Sequence, residues 1–520
     1  MDDIVAEDVV EASDSEGGGR VVRAAAVLAL GNVASRILGL VRETVKANLF
    51  GASGLLSAFE VAAYVPTSLF ELVIGGMVNS ALVPVFSEYT TEERRAELWP
   101  LLSTFLSVAA AVLLSVVVLV ELFAPQVAWL VGARNFDDPS LTATSIRLMR
   151  LATPAIFFMG LSSILSGVLY ALQRFTLPAF TAAVFNGTMA GVALLWPEKI
   201  DSLVWGLLLG SLLQVVIQLP ALRDFKWEWR RWHPALGRIW QLYVPIVAGL
   251  VINQLAIGAS INLATRTGDE SLTFMRFATT LYQFPLGLVV TALSIATLPM
   301  LSQQALGDMG RFKETLAGGI RLVMALILPA TVGLFTLALP IVALLFEHGQ
   351  FTPEDSVMTA LVLRVYLFGL PFAAIDQMLV FGSYARQDTW HPALIGVISI
   401  VIYLGVAVLL IRPLGLLSLM VADAVKHVVH TGMMLWVLRR DIGSLWGYGV
   451  GVGAMKAGGA SVVMGGLAYG AFVVMGNWVG DGLWGEVMVV AVPGAVGGVV
   501  YAGLVYGLGI EEVLRLVKRS

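Results

Sequence analysis

AAAVLALGNVASRILGLVRETVKANLF, residues 24–50, is the stretch whose reading decides the fold. At about 1.5 Å of rise per residue, its 27 residues make a helix longer than the roughly 30 Å of hydrocarbon in a bilayer. Residues 24–35 carry no charge, and Arg36, Arg42, Glu43 and Lys46 then follow around Gly39. An ionisable side chain inside a span costs about 2.5–3.5 kcal/mol even on the lenient insertion scales, so it turns to a cavity, to water or to a partner. The stretch reads as a membrane-spanning helix with a polar face.

The rest of the chain repeats this text. Of 520 residues, 58% are hydrophobic and 13% are charged, about half the share that covers a soluble surface. Mean hydropathy is +0.84. A soluble globular enzyme, a nucleic-acid binder and a disordered scaffold are excluded on those grounds. Zero cysteines rule out disulfides, a thiolate nucleophile and Cys-ligated metal, and five His make a His-rich metal site improbable. Breaking the chain at charged or Pro/Gly-rich stretches predicts an all-α polytopic membrane protein of about fourteen spans. They cover 24–50, 55–86, 97–123, 143–172, 176–196, 202–222, 240–265 and 271–304, then 315–346, 355–383, 391–411, 414–438, 450–475 and 483–508. The last two are Gly-rich, which suits close helix packing. Residues 1–21, with Asp2, Asp3, Glu7, Asp8, Glu11, Asp14 and Glu16, read as an acidic cytoplasmic tail.

Lys and Arg in the connections set the orientation. Connections after even-numbered spans and the C-terminus hold sixteen of them: Arg94, Arg95, Arg174, Arg223, Lys226, Arg230, Arg231, Arg238, Arg311, Lys313, Arg386, Arg439, Arg440, Arg515, Lys518 and Arg519. Connections after odd-numbered spans hold four, Arg134, Lys199, Arg266 and Arg412. Both termini are therefore expected in the cytoplasm. The segment 223–239, with Trp227, Trp229 and Trp232 among its basic residues, reads as a linker resting on headgroups, or as a specific lipid or protein contact.

The chain also looks duplicated. Tyr170-Ala171-Leu172-Gln173 with Pro178-Ala179 matches Tyr384-Ala385-Arg386-Gln387 with Pro392-Ala393 at offset 214. Pro125 through Leu130 with Phe136 matches Pro340 through Leu345 with Phe351 at offset 215, and Pro84 through Glu88 matches Pro299 through Gln303 at the same offset. Six spans separate the copies, so both insert the same way, as in parallel-repeat transporters whose substrates bind between lobes. The expected layout is an N-lobe at 22–222, the linker 223–239, a C-lobe at 240–440, and a final helix pair with a cytoplasmic C-terminus at 441–520.

Ionisable residues inside the spans mark the candidate site. On the first span Arg42 and Lys46 share one face and Arg36 and Glu43 another, and Gly39 permits a bend that would turn both to one cavity. Lys46 and Glu43 either line that cavity or snorkel to the far interface. Glu60 and Glu71 flank Pro66 in span 2; they either pair with the first-span cations or line the site. Arg276 precedes Pro285 in span 8. Arg147 and Arg150 read as interfacial. Arg364 and Asp376 are twelve residues apart, so each is expected to meet a partner on another helix. Asp423, Lys426, His427 and His430 form one stripe of span 12, either a proton or cation relay or an internally paired group. No GxxxxGK[ST] loop and no clustered carboxylates at an interface appear, so no catalytic residue, cofactor or nucleotide is expected.

Ser35-Arg36-Ile37-Leu38-Gly39-Leu40-Val41-Arg42-Glu43 resembles the first-helix signature of the MurJ/MviN lipid II flippases, S-R-[VIL]-L-G-x-x-R-[DE]. Phe50-Gly51-Ala52, Asn79 through Phe86, Gln283 through Gly287 and Leu298-Pro299 are similar to that family as well. So are Phe346 through Thr352, against F-x-x-G-x-F-[ST], and Tyr384 through Thr389, against [FY]-x-[AS]-R-x-D-[TI]. The resemblance, from about Val21 to Gly443, implies the multidrug/oligosaccharidyl-lipid/polysaccharide exporter superfamily. It implies two six-helix lobes plus two helices, in a multi-pass protein of the bacterial cytoplasmic membrane. The implied activity moves the undecaprenyl-diphosphate-linked peptidoglycan precursor outward by alternating access, driven by membrane potential or a cation gradient. The implied partners are that lipid-linked glycan, membrane lipids and, as a candidate, the cell-wall synthesis machinery; nucleic acid is not among them.

On this resemblance Arg36 and Arg42 meet the diphosphate, with Arg276, Lys46 and Gly39 completing the substrate-binding candidates. Glu43, Glu60, Glu71, Asp376 and Asp423 are the polar or ion-coupling candidates. The pattern is not kept everywhere: the family's second-span arginine falls on Glu71, its acidic residue on Gly75, its earlier Asp on Ser57, and its span-8 Asp-Arg pair on Thr279-Thr280. Arg276 and Glu60, each about one turn away, are the compensating candidates. Two other readings stay open: export of another polyprenyl-linked glycan or amphipathic small molecule, and a non-transporting membrane scaffold of the same fold.

Overall fold

Apolar stretches long enough to cross a bilayer have to satisfy their backbone internally, and here they do so as helices. The structure, a computed structural model, describes residues 2–228, 232–476, 478, 482–510 and 512–514, and the side chains of all of these except 2–22, Asn79, Pro245 and Ala248. Helix α1 runs Asp2–Phe50, so the acidic leader continues the first span as helix. The next helices are α2 (Gly54–Glu88), α3 (Glu92–Leu122), α4 (Pro139–Ala171), α5 (Thr181–Leu195), α6 (Asp201–Leu222) and α7 (Pro234–Ala264). Then come α8 (Ser271–Gly307), α9 (Met309–Thr336), α10 (Pro353–Leu367 and Leu370–Ala385, bent by 43°), α11 (Trp390–Leu414), α12 (Leu417–Ile442), α13 (Val450–Gly476) and α14 (Leu483–Gly507).

Every expected span has its helix, but they differ in kind. Among the described residues ten helices are long and apolar enough to cross a membrane, or up to twelve if each of the bent pairs in α7 and α10 is one span. Helix α5 has only 15 residues. In α12 the stripe from Asp423 to His430 holds the hydropathy down.

Two compact units form: Met1–Lys46 with Ala58–Gly258, and Ala47–Ser57 with Ala259–Ser520. The division falls within α7, between Gly258 and Ala259, whereas 223–239 was the expected linker. That segment packs inside the first unit: Glu228 N–H donates to Ser103 Oγ at 3.0 Å, and Phe225 meets Trp99 and Trp227 edge-on at 5.6 and 6.0 Å. Trp227 and Trp232 are exposed. Trp229, Arg230 and Arg231 lie outside the described residues, as do Arg515, Lys518 and Arg519. The core of the first unit gathers Ile74, Leu82, Phe86, Leu101, Leu113, Ile164, Leu169 and Tyr243. In the second unit α11 packs on α12, α9 on α13 and α13 on α14.

The duplication is written into the backbone. Among the described residues, Gln173 (φ 59°) and Gln387 (φ 62°), 214 positions apart, are the non-glycine residues with positive φ. Each closes a helix with the same pair of bonds: Gln173 N–H to Tyr170 O and Arg174 N–H to Leu169 O, against Gln387 N–H to Tyr384 O and Asp388 N–H to Ser383 O. A π-helical turn occupies Glu71–Gly75 in α2 and Leu286–Val290 in α8, 215 positions on. One extra residue per turn bulges the helix without ending it, a device frequent at functional sites.

Candidate functional site

Helix α1 brings Arg36, Arg42, Glu43 and Lys46 into the first unit. Helix α1 runs without a break through Gly39, where a Cβ would rest 3.5 Å from Asn186 Nδ2. Asn186, on α5, reads a single face of α1 at spacing i, i+4, i+7. Its Nδ2 donates to Ser35 O at 3.1 Å, it lies over Gly39, and its Oδ1 accepts from Arg42 Nη1 at 2.9 Å. Nothing in the motif reading singled out Asn186, although an amide in an otherwise apolar span is itself a signal for an interhelical bond.

Four charges close into one network. Arg42 donates from Nε (3.1 Å) and Nη2 (2.6 Å) to Glu43 Oε1, and Lys46 Nζ donates to Glu43 Oε2 at 2.8 Å and to Glu60 Oε1 of α2. Lys46 also sits 5.6 Å from the centre of the Phe59 ring. Lys46 is 2% exposed and Glu43 1%. Two cations and two carboxylates cancel, which is the condition for burying them. Lys46, expected as a substrate ligand, is thus committed to two carboxylates, and neither it nor Glu43 snorkels outward. Arg42 keeps freedom: a guanidinium has five N–H donors, three bonds are made, and the side chain is 19% exposed. Arg36, half-buried one face away, has a buried Nε without a hydrogen-bond partner.

Of the two acids expected to meet first-span cations, Glu60 does and Glu71 does not. Glu71 opens the π-helical turn of α2, and its carboxylate curls over the backbone at Gly75, where a Cβ would lie 1.9 Å from Oε2. Gly75 therefore makes room for the acid. Ser57 and Thr273, both in the second unit, share a hydroxyl bond of 2.8 Å.

In the second unit, Arg276 is exposed on α8. Arg364 donates to Phe335 O of α9 at 3.2 Å, and Asp376 meets His430 Nδ1 of α12 at 2.5 Å, each on another helix as expected. Asp423 holds Lys426 Nζ at 2.5 Å, with His427 Nε2 at 3.6 Å. The stripe of α12 is therefore divided: three members pair internally and His430 turns to α10. Lys426 also lies 5.7 Å from the ring centre of Tyr403, whose hydroxyl bonds Ser260 at 2.6 Å. His427 Nδ1 and Tyr282 Oη beside this group are buried without partners. Arg147 and Arg150 are exposed, and Arg147 bonds Asp201 at 2.7 Å.

Long apolar helices on a duplicated plan, with cancelled charges inside the spans, define a polytopic membrane transporter. Over residues 46–484 the sequence matches the family described as lipid II flippase MurJ, and the chain belongs to that family. It is 28% identical over 524 aligned residues to a probable lipid II flippase MurJ of Bdellovibrio bacteriovorus, across 96% of this chain and 97% of that protein. A solved structure of lipid II flippase MurJ in an inward closed conformation superposes with TM-score 0.76 at 23% identity, covering 92% of this chain and 97% of that one. An inward-facing multidrug resistance MATE transporter of the MOP superfamily has TM-score 0.66 at 11% identity, covering 79% and 95%. At those identities the two structures speak for the fold. The family is one of bacterial flippases rather than of enzymes.

Proposed function

We propose that this chain moves lipid II from the inner to the outer leaflet of the bacterial cytoplasmic membrane by alternating access, for cell-wall synthesis, with both termini in the cytoplasm. The family match over residues 46–484 carries the reading. The charge pattern of α1 supports its chemistry. A diphosphate is bound best by planar guanidinium groups with unspent donors, and on α1 Arg36 and Arg42 have them. Lys46, Glu43 and Glu60 serve as the frame that holds Arg42, and Gly39 as the gap that admits Asn186. Arg276 is the second-unit candidate cation. Asp376 and Asp423, with the His residues beside them, are the candidates for ion coupling.

One observation favours a second reading, export of a different polyprenyl-linked glycan: Glu71 stands where the family resemblance places an arginine, and Gly75 is shaped to hold it. Complementation of a flippase-depleted bacterium separates the two. Rescue by the parent chain, lost in Arg36→Ala and Arg42→Ala at equal expression, is expected. Rescue that survives both substitutions overturns the anion-binding role of α1. No rescue by a well-expressed parent chain favours the other cargo.

A further inference from the structure

A groove of about 480 Å³ lies at the junction of α5 and α6, within the first unit. Its walls include two indoles, Trp196 and Trp205, 57% and 43% exposed. Its floor holds Asp201 and Ser202, the first two residues of α6, and its rim holds Glu198 and Lys199. Ser202 is 1% exposed and its Oγ has no hydrogen-bond partner; Asp201 Oδ1 is likewise buried and unpartnered. The other oxygen of Asp201 accepts from Arg147 at 2.7 Å, which fixes the carboxylate in place. A buried hydroxyl and a buried carboxylate oxygen without partners are costly to the fold, so both are held ready for a group that supplies a donor and an acceptor.

The charge of the groove narrows the ligand. Glu198 and Asp201 balance Lys199 and Arg147, and Asp201 already meets the positive end of the α6 dipole, so neither a free anion nor a cation is favoured. What remains is a neutral molecule with an apolar face for the indoles and hydroxyls at its edge for the carboxylate, the hydroxyl and the ammonium. We infer that this groove is a binding site for a neutral saccharide ring. The cation bias of the connections puts the residues between α5 and α6 on the side opposite the cytoplasm, where an exported lipid-linked glycan emerges; that placement, though not the binding itself, rests on the proposed function.

The test uses the full chain purified in detergent, with saturation-transfer difference NMR. The probes are chitotriose, a soluble N-acetylhexosamine trimer, and glycerophosphocholine, a phospholipid headgroup. Saturation transfer to the ring C–H protons of chitotriose is expected, with affinity weakened about five- to tenfold in Ser202→Ala and in Trp196→Ala. Trp196 is exposed, so its replacement tests stacking in a folded protein, and Trp196→Phe is expected to keep most of the signal. Transfer to glycerophosphocholine but not to chitotriose makes the groove a headgroup seat and overturns the inference. So does a chitotriose signal indifferent to Ser202 and Trp196, or the lack of any signal. The readout does not require transport, so a failed complementation and a failed binding test are separate results.

Discussion

Replacing Lys46 with Met puts a number on the charge network of α1 and α2. The parent set, Arg42, Glu43, Lys46 and Glu60, sums to zero; Lys46→Met leaves one excess negative charge among groups of which Glu43 is 1% and Glu60 9% exposed. Removing one partner of a buried pair costs about 3–5 kcal/mol, mostly the desolvation of the charge left behind. Lys46→Met/Glu60→Gln restores neutrality while keeping Arg42 on Glu43, and coupled neighbours recover up to about 3 kcal/mol. Lys46→Met/Glu43→Gln is also neutral overall, but it strips Arg42 of the carboxylate that accepts two of its bonds. The thermal midpoint of the detergent-purified chain should therefore rank parent, then Lys46→Met/Glu60→Gln, then Lys46→Met/Glu43→Gln, with Lys46→Met at or near the bottom. If Lys46→Met/Glu60→Gln melts below Lys46→Met, the network is not held by charge neutrality and the reasoning fails.

Gln173 and Gln387 hold left-handed backbone, which costs a non-glycine residue about 1–2 kcal/mol, so Gln173→Gly and Gln387→Gly should each raise the midpoint, and Gln173→Val should lower it. A Cβ at Gly31 would come 2.2 Å from Ala179 O, so Gly31→Ala should cost about 1–3 kcal/mol of overpacking; Gly191→Ala, with nothing within 4 Å, should be neutral or stabilising in the same melt. Asp138 caps the start of α4, and its bonds from Ser140 N–H and Oγ–H hold its pKa below the usual carboxylate value. Its contribution is present above the unfolded value and is lost as pH falls through the folded one. Asp138→Ala should therefore lower the midpoint at pH 7, and the gap to the parent should close below about pH 4.

The spans and the duplication were open to reading because each rests on a sum. Transfer energy accumulates over some twenty residues, so single errors do not move it. The offset of 214–215 likewise came from several anchors together, and the paired π-turns and left-handed glutamines fall on it. Which groups meet was far less legible. Pairing between helices depends on the rotation of each about its axis, which the spacing along one helix leaves open. Spacing set Arg42 beside Lys46 and Glu43 beside Arg36; it did not say that Glu43 would bridge Arg42 and Lys46, nor that Glu60 would complete the set while Glu71 folded back on Gly75. The boundary of the units escaped for a similar reason. A basic, Trp-rich segment has the composition of a linker, yet its rings pack onto Trp99 and Tyr89, and the division falls instead inside the bent helix α7.

The corrected pairing changes what α1 offers an anion. By sequence it carries three cations against one carboxylate from residue 36 to residue 46, a surplus that invites a diphosphate. Once Glu60 joins from α2, Arg42 and Lys46 are balanced and the surplus reduces to Arg36, together with the two unspent donors of Arg42. A half-buried guanidinium whose Nε is buried without a partner is the expensive member of this set. Lys46 can be exchanged along with its partner and stability largely kept, whereas Arg36 contributes no pairing that would explain its retention. On the proposed function its cost is offset by an anion that meets it during transport, so the two kinds of substitution should separate: Lys46 in the melting curve, Arg36 in the rescue.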